Sequence, residues 1–116
     1  MKREIGIKGE EQAVQHLLAL HYFILARNFR SRFGEIDIIA YDKINLTTVF
    51  VEVRVKTSLS FGKAEESLTY TKKQRLLKTA QYYLSNHPTE NIRFDFIAIN
   101  LFEEVPLKHY QNIIAG

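Results

Sequence analysis

Gly34-Glu35-Ile36-Asp37-Ile38-Ile39-Ala40-Tyr41 and Thr48-Val49-Phe50-Val51-Glu52-Val53-Arg54-Val55-Lys56 each read as a β-strand with acids set among aliphatic residues. Removing an unpaired carboxylate from water costs several kcal/mol or more, so Asp37 and Glu52 each require an ion pair or a metal. Period-two alternation puts Ile36, Ile38 and Ala40 on one face of the first strand, and Val49, Val51, Val53 and Val55 on one face of the second. That face is expected to be core. The opposite face carries Glu35, Asp37, Ile39 and Tyr41, then Phe50, Glu52, Arg54 and Lys56, so the charges gather at one end.

The polar segment Asp42-Lys43-Ile44-Asn45 separates the two strands and predicts a hairpin turn. With Asp37 opposite Glu52, the midpoint falls between Ile44 and Asn45, inside that turn. Cross-strand partners have Cβ atoms about 5 Å apart, which lets both carboxylates reach one cation.

Outward from this hairpin, the apolar positions Ala13, Val14, Leu17 and Leu18 predict an amphipathic helix from about Gly9 to Leu20. Glu10 lies four residues before Val14 and projects from the apolar stripe, whereas Glu11 points to solvent. Glu10 is read either as a first-turn acid complementing the helix dipole or as a contributor to the acidic site. A strand is expected over Phe23 to Phe29, followed by Arg30, Ser31 and Arg32. Arg27, Arg30 and Arg32 form either a solvated loop or a phosphate clamp.

Beyond Phe61-Gly62, a short helical piece around Ala64 to Leu68 precedes a second helix. Thr71 with Gln74 has the form of a capping box for that helix, and Leu76, Leu77, Ala80, Tyr83 and Leu84 give the apolar stripe. Lys72 and Arg75 sit in its first turns, where the helix dipole disfavours cations, so an acceptor such as phosphate or carboxylate is implied. A fourth strand is expected over Ile92 to Asn100, with Arg93 and Asp95 as a salt bridge, and a fifth over Leu107 to Ile114.

The 116 residues suit one domain, 1–116, of α/β class with a mixed sheet of about five strands flanked by helices. The net charge of +3 permits a polyanionic partner without requiring one. Absence of cysteine excludes disulfides, thiolate zinc sites and cysteine nucleophiles, and the four histidines lack zinc-ligand spacing. No apolar run approaches the roughly 18 residues of a membrane span, and no signal sequence is apparent, so a cytoplasmic protein without membrane association is expected.

Mg²⁺ takes one or two protein carboxylates and leaves its other positions to water and substrate phosphate. Asp37 and Glu52 meet that demand, with Glu10 as a third ligand or a water-orienting group. Arg54, two residues beyond Glu52 and about 7 Å along the same strand face, can stabilise a phosphate but cannot act as a general base. Lys56 or Lys72 can supply an ammonium instead.

This constellation resembles the PD-(D/E)xK nuclease superfamily, most closely its archaeal Holliday-junction resolvase branch, and the resemblance implies a restriction-endonuclease-like fold. The superfamily's helix Glu, strand Asp and Glu-x-Lys correspond to Glu10, Asp37, Glu52 and, with Arg in place of Lys, Arg54. Over nearly the whole chain the order of motifs is similar to the YraN-like family. These motifs are Gly6-x-x-Gly9-Glu10, Arg27-Asn28-Phe29-Arg30, Gly34-Glu35-Ile36-Asp37, Phe50-Val51-Glu52-Val53, Phe61-Gly62, Lys72-x-x-Arg75-Leu76 and Arg93-Phe94-Asp95.

The resemblance implies a nuclease that hydrolyses phosphodiester bonds of DNA, with Mg²⁺ or Mn²⁺ on Asp37, Glu52 and Glu10. Glu10, Asp37, Glu52, Arg54 and Lys56 would serve catalysis, and Arg27, Arg30, Arg32, Lys72 and Arg75 would contact nucleic acid. Branched or structured DNA is the implied substrate, and a homodimer would match a two-fold junction. The rival reading is a nucleic-acid-binding protein that keeps the nuclease fold without cleavage.

Overall fold

The computed structural model describes residues 2–114. Helix α1 (Lys2–Ala19) leads into strands β1 (Tyr22–Ser31), β2 (Gly34–Asp42) and β3 (Thr47–Lys56). A single 3₁₀ turn (Ala64–Ser67) and helix α2 (Tyr70–Asn86) then carry the chain to β4 (Ile92–Asn100) and β5 (Leu107–Tyr110). The sheet order is β1-β2-β3-β4-β5, with β3 and β4 parallel and every other neighbouring pair antiparallel. Parallel strands cannot be joined by a tight turn, which is why the 3₁₀ turn and α2 lie between β3 and β4. This five-stranded mixed sheet with two helices is the expected α/β architecture and is consistent with a restriction-endonuclease-like fold.

The two helices cover different side-chain sets of the sheet. Ala13, Val14 and Leu17 of α1 pack with Ile38, Ala40, Val49, Val51, Val53, Ile97 and Ile99. Leu76, Ala80 and Tyr83 of α2 pack with Ile36, Ile39, Phe50 and Phe94. Fully buried side chains such as Leu17 and Phe50 contribute roughly 1.5–3 kcal/mol each.

Helix α1 starts at Lys2, well before the expected Gly9. Ile5 is only half-buried and Ile7 is exposed, so the first two turns bury no regular stripe that periodicity could register. Gly9 itself is buried, and a Cβ there would collide with the Val55 side chain. Its place inside the helix, despite a propensity cost of about 1 kcal/mol, follows from that close approach to β3.

Pairing in the β2–β3 hairpin runs from Asp42↔Thr47 to Ile38↔Val51, in the register expected from the sequence. The paired residues stop one step short of Asp37 and Glu52. In place of a further ladder bond, Asp37 Oδ2 accepts a hydrogen bond from the Val53 N–H at 2.8 Å. Strict alternation also breaks at Asp37, because Ile36 packs in the α2 cluster rather than with Ile38. On the other side of β2, the pairs Arg27↔Ile38 and Phe29↔Ile36 flank Asn28, whose φ is 52°.

Two further expectations are corrected. The cap of α2 is Thr69, whose Oγ1 accepts from the Lys72 N–H at 3.2 Å, and Thr71 lies inside the first turn. Strand β5 ends at Tyr110 rather than near Ile114, because the chain turns at Asn112 (φ 56°) and the Asn112 N–H donates to Asp95 Oδ1 at 3.1 Å.

Candidate functional site

Asp37 stands where two cavities meet. The smaller, about 240 Å³, is lined by residues including Glu35, Asp37, Glu52, Arg54, Lys72 and Arg75. The larger, about 630 Å³, is lined by Glu10, Asp37, Arg54, Lys56 and the segment from Thr57 to Phe61, among others. Asp37, Val53 and Arg54 form the wall common to both. The end of the β2–β3 ladder therefore exposes its acids to two spaces.

The electrostatics follow from crowding. Burial, then the charge of Glu52 and a hydrogen bond with Glu52, push the Asp37 carboxyl up to about 8, against the lowering effect of the Val53 N–H. The Asp37 carboxyl thus holds its proton more tightly than an ordinary carboxyl does. Glu10 is also raised, first by burial and then by Asp37, with Arg27 opposing and Glu35 adding to the rise. Arg54 Nε lies 3.8 Å from Glu52 Oε2, a long ion pair. Arg54 Nε and Glu10 Oε1 are both buried and find no hydrogen-bond partner among the described residues.

Lys72 comes to this pair from the first turn of α2. Its ammonium is pulled below the usual lysine range by burial and by Arg54 and Lys56, with Glu52 opposing. Lys72, Arg54 and Arg75 thus form a cationic set on the smaller cavity with Glu52, while Lys56 lines the larger one.

The structure brings together Asp37, Glu52, Arg54, Lys72 and Arg75 on one cavity, and Glu10, Asp37, Arg54 and Lys56 on the other. It does not gather Glu10, Asp37 and Glu52 into one coordination group. Among the described residues, no three His, Cys, Asp or Glu side chains are so arranged. The expected arginine clamp is dispersed as well. Arg27 pairs with Glu11 at 3.0 Å, Arg30 with Glu35 at 3.4 Å, and the Arg32 guanidinium lies over the Phe33 ring at 4.9 Å. None of the three is among the residues lining either cavity.

The donor set nevertheless fits a hard divalent cation. Asp37 and Glu52 are two close carboxylates whose mutual repulsion a cation relieves, and Glu10 Oε1, on the larger cavity with Asp37, is an unengaged oxygen. Two carboxylates suffice for Mg²⁺, which keeps several waters.

Sequence reasoning missed two features. The loop from Thr57 to Phe61 lines the larger cavity, and its only sequence signal is the Phe61-Gly62 pair in the motif order. The second is a buried polar network. Arg93 bonds Asp95 at 2.9 Å, Asp42 at 3.2 Å and the Tyr22 hydroxyl at 2.6 Å. His109 bonds Asp95 at 2.8 Å and His16 at 3.0 Å. The expected Arg93–Asp95 bridge is present, but the histidines, 93 residues apart, gave no pattern linking them to it.

A family model described as "Uncharacterised protein family UPF0102" matches residues 9–99. A UPF0102 protein of Persephonella marina is 51% identical over 96 residues, covering 81% of each chain. One of Caldicellulosiruptor saccharolyticus is 42% identical over 104 residues, covering 90% of this chain and 86% of the relative. One of Thermodesulfovibrio yellowstonii is 46% identical over 110 residues, covering 94% of each. The family match begins at Gly9, where α1 closes on β3, and ends at Ile99 in β4, taking in every acid and base that lines the two cavities; the chain belongs to the UPF0102 family, the YraN-like proteins.

Proposed function

We propose that this protein is a metal-dependent nuclease that hydrolyses phosphodiester bonds of DNA. The observation that carries the proposal is the placing of Asp37 and Glu52, at the open end of the hairpin ladder, on one cavity bordered by Arg54 and Lys72. Asp37 and Glu52 would hold Mg²⁺ or Mn²⁺, with Glu10 beside them. When bound, such a cation supplies Lewis acidity toward the phosphate and acidifies water.

The chain's own residues divide the remaining work. The Val53 N–H fixes one oxygen of Asp37, whose side chain lies on the wall common to both cavities. Arg54 stays protonated and offers its guanidinium to a phosphate oxygen. Lys72 lines the same cavity as Asp37 and Glu52 and would take the proton of the attacking water, a role that burial and then the neighbouring cations favour by disfavouring its ammonium. It supplies the amine that Arg54 lacks.

The test is cleavage of end-labelled single-stranded, flap and four-way-junction DNA in Mg²⁺ or Mn²⁺. Wild type should cleave at least one of them, and Asp37→Asn and Glu52→Gln should lose at least about 100-fold in rate. The long Arg54–Glu52 ion pair favours one rival, in which the arginine neutralises the acid and the protein only binds. Salt-dependent DNA binding without cleavage, unchanged in Asp37→Asn, would support that rival.

A further inference from the structure

We infer that the larger cavity is a nucleotide subsite in which Phe61 stacks on an unpaired base while Arg54 and Lys56 face the adjoining phosphate. This inference rests on the nuclease reading and specifies its substrate class as DNA with single-stranded or splayed nucleotides. At about 630 Å³ the cavity is far larger than an ion requires and falls within the roughly 300–1,000 Å³ typical of small-molecule sites. One part of its wall carries Asp37, Arg54 and Lys56, and another carries Ser58, Ser60 and Phe61.

Phe61 is 90% exposed, more than any other large apolar side chain described. Its position is built into the loop. The Gly62 N–H donates to the Leu59 carbonyl at 3.0 Å, closing a turn around Phe61. Gly62 then takes φ 84°, a left-handed conformation that only glycine adopts without strain. The Lys63 N–H is held by Glu66 Oε2 at 2.7 Å, and the Ala64 N–H by Oδ1 of the fully buried Asn100 at 2.8 Å. The loop is therefore anchored to β4 immediately after the phenyl ring it displays.

Base–aromatic stacking tolerates any sequence, because every base has a π-face, and basic residues beside the ring track the backbone. Bases inside a duplex are already stacked on both sides. Away from the ends of a duplex, only an unpaired or splayed base offers a free face to Phe61.

The experiment measures binding in EDTA at low salt of a short single-stranded DNA carrying 2-aminopurine and of its blunt duplex. Wild type should prefer the single strand and quench its fluorescence. Phe61→Ala should lose about tenfold in single-strand affinity together with the quenching, and leave duplex binding unchanged. Phe61→Trp should retain both, and the Phe61→Ala melting temperature should equal that of wild type.

Equal single-strand affinity and quenching in wild type and Phe61→Ala would overturn the inference, as would equal losses on single strand and duplex. Phe61-dependent binding without cleavage in Mg²⁺ would sustain the subsite while overturning the hydrolytic reading. Cleavage that does not depend on Phe61 would do the reverse. Absence of binding to either DNA would overturn both.

Discussion

Asp37 is held by one backbone amide and crowded by a second carboxylate, and the two act on it in opposite directions. In the folded protein the Asp37 carboxyl is pushed up to about 8, above the ordinary aspartate value of 3.8, so the stability linked to this proton is fully present below about pH 4 and is lost as pH rises through 8. In EDTA, Asp37→Asn should therefore melt close to wild type below about pH 4 and well above it at pH 8.5, since a gain of 1 kcal/mol is worth about 4 °C in a domain of this size. Added Mg²⁺ should raise the melting temperature of wild type and not of the variant. Scanning fluorimetry reads all four conditions. Asp37, Glu52 and their register were legible in the sequence because alternation and turn chemistry fix the hairpin. The hydrogen bond to the Val53 N–H was not, because spacing does not say where a ladder ends and a side chain takes over.

Each helix owes its placement to a local device. Thr69, not Thr71, satisfies an N-terminal amide of α2 and so sets where Lys72 emerges. Thr69→Ala should cost about 1 kcal/mol in urea unfolding, and Thr71→Ala, an exposed first-turn change, should stay within about 0.5 kcal/mol. The sequence pointed to Thr71 because Gln74 three positions on completes a capping box, whereas Thr69 has Lys72 at that place. Only the extended backbone at Thr69, following the partly buried Leu68, decides between them.

On α1 the deciding residue is Gly9. Gly9→Ala should gain helix propensity of about 1 kcal/mol yet destabilise overall, because overpacking against Val55 costs about 1–3 kcal/mol. Combining it with Val55→Ala should recover much of the loss, a coupling that a double-mutant cycle measures. The helix was visible because Ala13, Val14 and Leu17 pack on the sheet, although Leu18, expected in the same stripe, is 44% exposed. Its first two turns were not, because they bury little.

At the scale of the whole molecule, the Arg93 network ties α1, β1, β2, β4 and β5 through His16, Tyr22, Asp42, Asp95 and His109. Burial and then the charge of His109 hold the His16 imidazole below its usual range. The folded state therefore binds that proton less readily than the unfolded chain does. The associated stability is present above about pH 6.5 and is lost as pH falls below it. Asp95 acts lower on the scale. Against burial, which raises it, bonds from His109 and Arg93 hold it below the usual carboxylate range, so its contribution is present above the unfolded pKa of about 3.9 and is lost as pH falls below that value.

In an Asp37→Asn background, where the opposing Asp37 contribution is absent, the melting temperature should drop between pH 7 and pH 5. His16→Gln should flatten that drop. The succession of strands and helices along the chain was readable from period and length, and the order of the strands in the sheet was not. This network was not, because its members lie far apart in sequence and meet only when the sheet closes.

The central claim is that Asp37 and Glu52 form a divalent-cation site, and titration of the metal-free protein with Mn²⁺ by calorimetry tests it most directly. The account predicts saturable binding of one ion per chain with release of a proton at pH 7, both lost in Asp37→Asn. Absence of saturable binding in wild type, or equal binding in Asp37→Asn, would contradict it.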